Sequence, residues 1–134
     1  MNIYNIIKFL GIGVIPGRVK LAGLLGIYSL RRRIVGVYLD PVLACNLRCR
    51  MCYFSDPEKR GELKGVISDN MLDHIEKNIF PYALKLQIGC GAEPTLYHHL
   101  PALITRAKNS GISYISLTTN GQLLTTGNVS LSEL

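Results

Sequence analysis

Residues 40–54 read DPVLACNLRCRMCYF, and this short segment sets the interpretation of the whole chain. It carries three cysteines, Cys45, Cys49 and Cys52. Thiolates are soft ligands that suit iron–sulfur clusters or zinc. Three thiolates leave a cluster of four irons one ligand short, so the remaining iron would be open to bind and activate a small molecule. The segment therefore predicts a metal site.

The bulk composition predicts a single globular domain. The chain has 134 residues, of which 48% are hydrophobic and 18% are charged, enough for one modest core. Residues 1–30 lack the features of a secretory signal, and the apolar stretch 21–30 is shorter than the roughly 18 residues that span a bilayer. Clustered cysteines in a reducing compartment bind metal more often than they form disulfides. We therefore expect a cytoplasmic protein.

The net charge of +6 is unevenly distributed. Residues 1–33 carry no acid and six basic residues: Lys8, Arg18, Lys20, Arg31, Arg32 and Arg33. The remaining nine basic residues balance nine acidic ones. The excess belongs to the N-terminal segment, which argues against nucleic-acid binding by the body of the chain.

Residues 1–33 are predicted to form a separate, basic and apolar helical segment. Apolar residues recur at helical intervals in its first half: Ile3, Ile6, Ile7, Leu10 and Val14. Pro16 and Gly17 interrupt that pattern, and residues 19–28 predict a second short helix. The favoured interpretation is a helix pair packed on the domain or on a missing partner. The alternative is peripheral contact with an anionic membrane surface.

From Ile34 onward the pattern changes to alternating strands and helices, which defines a second region at residues 34–134. Strands are predicted at residues 34–39, 83–88 and 112–118. Strands that alternate with helices predict an α/β fold with a parallel sheet and right-handed crossovers.

Two helices are predicted between these strands. Ser68 caps the first, whose predicted buried face comprises Met71, Leu72, Ile75 and Ile79. The second buries Leu100, Leu103, Ile104 and Ala107 and stops at Gly111. A further helix is predicted to begin at Ser130 or Ser132.

Polar segments follow all three predicted strands. The cysteine segment follows the first, residues 89–95 (GCGAEPT) follow the second, and residues 118–121 (TTNG) follow the third. Ligands of parallel α/β folds bind at the carboxyl ends of the strands. We therefore expect these three segments to converge on one site.

Two kinds of metal site remain open from the residues alone. Buried apolar packing of the cysteines is disfavoured, because Asn46, Arg48 and Arg50 interleave with them. An iron–sulfur cluster would use the three cysteines, with the two arginines helping to balance its negative charge. A non-catalytic zinc or electron-transfer site would need a fourth ligand, for which Cys90 is the candidate.

The motif Cys45-x-x-x-Cys49-x-x-Cys52 resembles the cluster motif of the radical S-adenosylmethionine (radical SAM) enzymes. The segments 91–94 (GAEP) and 119–121 (TNG) follow the second and third predicted strands in that family's order. The likeness covers about residues 34–134. It implies a partial (β/α) TIM-like barrel, of which about three β/α units are present here, preceded by the N-terminal helices.

The resemblance implies two cofactors. Cys45, Cys49 and Cys52 would hold a [4Fe-4S] cluster, whose open iron would take the amino and carboxylate groups of S-adenosylmethionine. An electron from a donor such as flavodoxin or ferredoxin would cleave that molecule to methionine and a 5′-deoxyadenosyl radical, which removes a hydrogen atom from the substrate. The chain is thus identified as a radical SAM enzyme. A peptide or a cofactor precursor is the substrate class that the resemblance suggests.

The same resemblance assigns contacts with S-adenosylmethionine to Met51, Tyr53, Gly91, Ala92, Glu93, Pro94, Thr119 and Asn120; no residue is assigned as catalytic. Gly91-Ala92-Glu93 resembles a Gly-Gly-Glu segment that hydrogen-bonds the methionine amino group. Glycine allows close backbone approach, and a carboxylate accepts hydrogen bonds from an ammonium group. Ala92 departs from the family pattern and requires a negative φ. Taken alone, Glu93 would be interpreted as an exposed loop acid.

Neighbouring residues receive simpler interpretations. Met51 is expected near the adenine, by resemblance. Tyr53 and Phe54 are expected to shield the cluster or to pack in the core, with cofactor stacking as the second choice for Tyr53. Cys90 is expected to be a buried small residue at a strand end.

Three parallel strands leave an exposed sheet edge, which soluble proteins normally cover. We therefore expect a further segment or another chain to cover it. We also expect the 134 residues alone to bind S-adenosylmethionine poorly and to turn over no substrate, because the family's barrel usually has about six strand–helix units.

Overall fold

The computed structural model describes residues 16–29, 34 and 36–125. The predicted helix at residues 2–15, the three arginines at residues 31–33 and the helix predicted from Ser130 or Ser132 lie outside the described residues.

Three strands form one parallel sheet. They are β1 (Val37–Leu39), β2 (Lys85–Ile88) and β3 (Tyr114–Leu117), in the spatial order β1-β2-β3. The α/β class and the parallel arrangement are therefore confirmed, and both are consistent with a partial TIM-like barrel. Each strand is shorter than predicted: Ile34, for example, forms only an isolated parallel bridge with Ala83.

Helices connect the strands. After the N-terminal helix α1 (Gly17–Ser29), the chain forms α2 (Pro57–Glu62), α3 (Asp69–Asn78), α4 (Leu100–Asn109) and α5 (Gln122–Thr125). Short 3₁₀ helices occupy Tyr53–Ser55, Phe80–Tyr82 and Pro94–Leu96. The sequence pattern did not predict α2 or α5, because both are too short to show apolar periodicity.

The cap of α3 is confirmed, since the Ser68 side chain accepts a hydrogen bond from the Met71 backbone N–H at 3.3 Å. Leu72 is buried on this helix, as predicted. The prediction for Met71 was wrong: its side chain is 53% exposed. Met71 and Leu72 are adjacent in sequence, so their side chains lie about 100° apart around the helix axis and cannot both face the core fully.

The core lies between one face of the sheet and helices α3 and α4. Its fully buried residues include Leu86 and Ile88 of β2 together with Leu100 and Leu103 of α4. The apolar face of α4 predicted from sequence is buried as expected. Arg106 of α4 adds ion pairs with Asp73 and Glu76 of α3, the latter at 2.5 Å, which link the two helices at the surface.

Helix α1 is confirmed at about the predicted position, but four of its apolar side chains are not buried against the described domain. Val19, Leu21, Leu25 and Tyr28 are each more than half exposed. These four side chains therefore do not pack on the described domain, and packing of the segment on a missing partner stays a prediction. No helix in the described part of the chain is long and apolar enough to cross a membrane.

Candidate functional site

Hydrogen bonds link the three polar segments at the carboxyl ends of the strands, which form the sheet edge that carries the candidate site. The backbone N–H of Glu93 donates to the carbonyl of Ala44 at 2.8 Å, joining the segment after β2 to the segment after β1. The N–H of Gly89 donates to the carbonyl of Leu39 at 3.1 Å. The convergence predicted from strand order is therefore present in the structure.

Asp40 is the first residue after β1, and its carboxylate organises the segment after β2. One carboxylate oxygen accepts from the backbone N–H of Cys90 at 2.7 Å, and the two oxygens accept from Gly91 at 3.2 and 3.1 Å. The N–H of Ala92 lies 3.4 Å from the carboxylate. Sequence analysis missed this residue. An acid directly after a strand was the only available signal, and it did not indicate which backbone the acid would bind.

Glu93 links the segment after β2 to the segment after β3. One oxygen accepts from the Thr95 N–H at 3.1 Å, from the Thr95 hydroxyl and from the Thr119 hydroxyl at 2.6 Å. The other accepts from the Asn120 N–H at 2.8 Å. Glu93 is only 2% exposed, so its interpretation as an exposed loop acid was wrong. Burial raises the pKa of this carboxyl, but the hydrogen bonds from Asn120, Thr119 and Thr95 outweigh burial and hold the pKa below its usual 4.5.

A third link joins the cysteine segment directly to the segment after β3. The Asn120 side-chain amide donates to the Asn46 side-chain oxygen at 2.8 Å, and the Asn46 amide donates to the Gln122 side chain at 3.0 Å. Asn46 lies between the first two cysteines of the motif. The segments after β1 and β3 therefore meet at Asn46, within the cysteine motif.

The cysteine segment folds as a series of tight turns. The Cys52 N–H donates to the Cys49 carbonyl at 2.8 Å, and the Ser55 N–H donates to the Cys52 carbonyl at 2.9 Å. All three are free thiols; Cys45 and Cys52 are half-buried, whereas Cys49 is exposed. Among the described residues, no three Cys, His, Asp or Glu side chains converge closely enough to hold a single metal ion.

Two polar groups lie against the start of the cysteine segment. The Leu47 N–H lies 3.4 Å from the Cys45 sulfur and donates to it. Arg48 donates to the backbone carbonyls of Cys45 at 2.7 Å and Leu47 at 2.6 Å, which places its guanidinium against the segment. A hydrogen-bond donor and a cation therefore lie beside the first cysteine of the motif.

Tyr53 joins the cysteine segment to Gly91. Its hydroxyl donates to the Gly91 carbonyl at 2.5 Å. A Cβ on Gly91 would overlap the same hydroxyl, which explains the glycine at this position. Partial burial, followed by the charges of Asp40, Cys52 and Cys45, raises the pKa of Tyr53 above its usual value and keeps the hydroxyl a donor.

The remaining predicted contacts surround this arrangement. Phe54 is 1% exposed and packs against Tyr53 with 4.7 Å between ring centroids, so its packing role is confirmed. Pro94 is buried, Ala92 is half-buried, and Asn120 is exposed. Met51 is fully exposed. The assignment of S-adenosylmethionine contacts to these residues stays a prediction.

Cys90 differs from its sequence interpretation. It is exposed rather than buried, because Asp40 draws its backbone toward β1 and leaves the side chain at the surface. Partial desolvation and the Asp40 carboxylate raise the pKa of the Cys90 thiol, while a backbone hydrogen bond at Leu39 and then the charge of Lys85 partly offset the rise. Its sulfur contacts the Gln87 carbonyl at 3.7 Å. The four-cysteine zinc site is therefore not assembled in the described structure.

A cavity of about 420 Å³ opens beside the cysteine segment, between it and α2. Cys45 lies on its wall. Three cations and no acid are among the residues that line it, namely Arg48, Arg60 and Lys64. Phe54 and Leu63 provide apolar surface. The outer side of the cysteine segment is therefore basic.

A known protein family matches the part of the chain that carries the candidate site. Residues 40–133 match the model of the Radical SAM superfamily. The matched range begins at Asp40 and contains all three polar segments of the site.

Curated relatives also match part of the chain. A probable GTP 3′,8-cyclase of Sulfolobus acidocaldarius is 32% identical over 60% of this chain and 25% of its own length. A tungsten-containing aldehyde ferredoxin oxidoreductase cofactor-modifying protein of Pyrococcus furiosus is 32% identical over 66% of this chain and 24% of its own. A 7,8-dihydro-6-hydroxymethylpterin dimethyltransferase of Methanocaldococcus jannaschii is 33% identical over 62% of this chain and 16% of its own.

The chain thus spans about a quarter or less of the length of these three relatives. No solved structure gives a significant match to it.

Proposed function

The chain belongs to the radical SAM superfamily, and we propose that it carries the cofactor-binding part of an enzyme that cleaves S-adenosylmethionine reductively. The observation that supports this most strongly is the hydrogen-bonded union of three segments at one sheet edge. Asp40 holds the segment after β2, Glu93 holds the segment after β3, and Asn46 connects the latter to the cysteines.

We propose that Cys45, Cys49 and Cys52 hold a [4Fe-4S] cluster. The donor set fits this group: three free thiols on one tightly turned segment, with an N–H donor and a guanidinium beside the first. A four-iron cluster is larger than a single ion, so its ligands need not converge as an ion's do. When bound, the cluster supplies the electron that cleaves S-adenosylmethionine to methionine and a 5′-deoxyadenosyl radical, which abstracts hydrogen from the substrate.

The protein's own residues would position the S-adenosylmethionine. We propose that the backbone of Gly91 and Ala92, held by Asp40, receives its methionine end. The Glu93 carboxylate would accept a hydrogen bond from the ligand's ammonium group. Its four protein donors would fix the orientation of the carboxylate in advance. Thr119 and Asn120, which are hydrogen-bonded to Glu93, would complete the binding surface for S-adenosylmethionine. The exposed side chains of Met51 and Tyr53 would contact its adenine side.

The names of the relatives bear on the substrate. They refer to GTP, to the cofactor of an oxidoreductase and to a pterin. Of the two classes that the sequence suggests, these names favour a cofactor precursor over a peptide. We propose a heterocyclic precursor as the substrate of the whole protein.

We further propose that an acidic electron donor, of the flavodoxin or ferredoxin type, docks on the basic outer side of the cysteine segment. Arg60 and Lys64 line the cavity beside Cys45 and would face such a partner. Replacing both with glutamate should slow cluster reduction by the protein donor about fivefold at low salt. The rate of cluster reduction by dithionite should be the same in this variant as in the wild type. The control variant Lys77→Glu, on α3, should be reduced by the protein donor at the wild-type rate. Equal slowing in the control would contradict this docking site.

Anaerobic reconstitution with iron and sulfide tests the proposed function itself. The chain should take up close to four irons, an expectation that follows from the cluster type. The Cys45→Ala/Cys49→Ala/Cys52→Ala variant should take up none specifically, whereas Cys90→Ser should match the wild type. Retention of iron by the triple variant, or its loss from Cys90→Ser, would show that the assignment is wrong.

A further inference from the structure

One face of the sheet is polar, although the other face builds the core. Leu86 and Ile88 of β2 point into the core with their register partners on the neighbouring strands. The alternate positions carry Tyr38, Lys85, Gln87, Tyr114 and Ser116. Parallel sheets normally bury apolar side chains on both faces. A face that carries only polar and tyrosine side chains therefore has a task other than core packing.

Lys85 is held in place on this polar face by two tyrosines. Its ammonium nitrogen lies 5.9 Å from the ring centroid of Tyr38 and 5.7 Å from that of Tyr114. Aromatic faces attract a cation without neutralising its charge. Between described residues, no ion pair involves Lys85. The lysine therefore presents a positioned charge that a ligand anion can pair with.

A hydrogen-bonded row lies beside the lysine. The Ser116 hydroxyl donates to the Gln87 side-chain oxygen at 2.5 Å, and the Gln87 amide donates to the Thr118 hydroxyl at 2.8 Å. Gln87 and Ser116 are register partners, so their side chains share the face. The row offers hydrogen-bond donors and acceptors of fixed direction. It begins at Gln87, the next residue after Lys85 on the same face of β2.

The polar face leads directly into the candidate site. Thr118, at the end of the row, is adjacent to Thr119, which binds Glu93. Asp40 follows Tyr38 by two residues, so it continues the same side of β1. The charge of Lys85 also reaches Cys90 at the sheet edge, where it lowers the pKa of the thiol. From Lys85 to the sheet edge is roughly 10 Å along the strand, about the length of a small metabolite.

We propose that the polar face of the sheet, formed by Tyr38, Lys85, Gln87, Tyr114 and Ser116, binds the substrate and selects a small anionic one. Lys85 pairs with a phosphate or carboxylate group of that ligand, and the row from Gln87 to Thr118 binds its heteroatoms. The ligand's opposite end then lies at the sheet edge beside Asp40 and Gly91. This inference rests on the proposed function for the reaction, but the anion site itself does not require the cluster.

Titration of the isotope-labelled full chain by NMR tests the site, with inorganic pyrophosphate as one probe and succinate as the other. Saturable shifts are expected at the amides of Tyr38, Gln87 and Tyr114. A tighter dissociation constant for one probe identifies phosphate or carboxylate as the preferred group. Absence of saturable shifts at these amides with both probes would overturn the proposal.

Variants separate the charge of Lys85 from general effects. Lys85→Met should weaken binding about tenfold, since it removes the charge and keeps the length, while Lys85→Arg should restore most of it. Lys77→Met, at the end of α3 and outside both proposed sites, should leave the dissociation constant unchanged. Ser116→Ala, which removes one hydroxyl of the row, provides a second test should Lys85→Met fail to fold. Unchanged binding in Lys85→Met, or in a folded Ser116→Ala if that variant is needed, would refute the assignment.

The two proposals can fail separately. The same titration on the Cys45→Ala/Cys49→Ala/Cys52→Ala variant should give the wild-type dissociation constant, because no cysteine of the motif lies on the polar face. Loss of iron in that variant concerns only the cluster. Loss of anion binding in it would contradict the present inference.

Discussion

The carboxylate of Glu93 accepts a hydrogen bond from the backbone N–H of Asn120 at 2.8 Å, although 27 residues separate the two in sequence. This bond crosses from the segment after β2 to the segment after β3 and lies beneath the proposed cofactor site. A buried carboxylate with four donors cannot be exchanged for another group without leaving some donor unsatisfied.

Glu93→Gln should lower the free energy of unfolding by about 1–3 kcal/mol at neutral pH. The carboxamide of glutamine replaces one of the two acceptor oxygens with an NH₂ group. The donors that point at that position, either those of Thr95 and Thr119 or that of Asn120, then lose their acceptor. Urea unfolding measures the effect, with the exposed Glu58→Gln as the matched control. A variant as stable as the control would contradict the role given to Glu93.

The pH dependence of stability should change in the same variant. The pKa of Glu93 is lower in the folded chain than the ordinary 4.5, so its stabilising contribution is complete above that pH and is lost as the pH falls through the folded value. Wild-type stability should therefore fall more steeply below about pH 4.5 than that of Glu93→Gln. Parallel curves for the two proteins would rule this out.

Asp40→Asn should loosen the segment after β2. The amide side chain accepts through one oxygen only, so the Gly91 N–H loses its second acceptor and all three N–H groups lose a charged one. Their hydrogen-exchange rates should rise about tenfold, which corresponds to the loss of one charge-assisted hydrogen bond. Asp56→Asn, at the cap of α2, is the control and should affect Glu58 and Lys59 instead.

Gly91→Ala should destabilise the chain through Tyr53, since the added methyl group overlaps the tyrosine hydroxyl. The expected cost is about 1–3 kcal/mol. Tyr53→Phe removes the hydroxyl, so the glycine substitution should cost less in that background. A double-mutant cycle by urea unfolding measures the coupling; strictly additive effects would mean that the hydroxyl is not the obstacle.

Gly89 and Gly121 provide a matched pair. Both have positive φ, 79° and 76°, but an added Cβ at Gly89 also overlaps the Thr118 carbonyl, whereas Gly121 has open space. Gly121→Ala should cost about 1 kcal/mol from backbone strain alone. Gly89→Ala should cost several times more, because a strand must move. Thermal unfolding of both variants tests the difference, and similar losses would argue against the steric contact.

Cys90 should react slowly with iodoacetamide for an exposed thiol. Desolvation and then Asp40 raise the pKa of its thiol above the ordinary 9.0, so little thiolate is present at pH 8. In a variant that keeps only this cysteine, Lys85→Met should slow the reaction further, because the ammonium group favours the thiolate. A rate equal to that of a free small thiol would contradict the shifted pKa.

Several features were determined by the sequence alone. The spacing of Cys45, Cys49 and Cys52 and the polar segments after three strands identified the family, and strand alternation predicted the parallel sheet. These signals are local: ligand spacing lies within one segment, and apolar periodicity reports which side of an element is buried. The exact strand ends could not be predicted, because pairing partners decide them.

The tertiary structure alone decided how the site is held. Three features depend on which distant residues meet. Asp40 binds the backbone of Cys90 and Gly91, Glu93 is buried, and Lys85 lies near the rings of Tyr38 and Tyr114. Strand register fixes those meetings, and register arises from the packing of the whole sheet. A carboxylate or a lysine in the sequence carries its charge with it, but the fold supplies the donors, rings and desolvation that determine what the charge does.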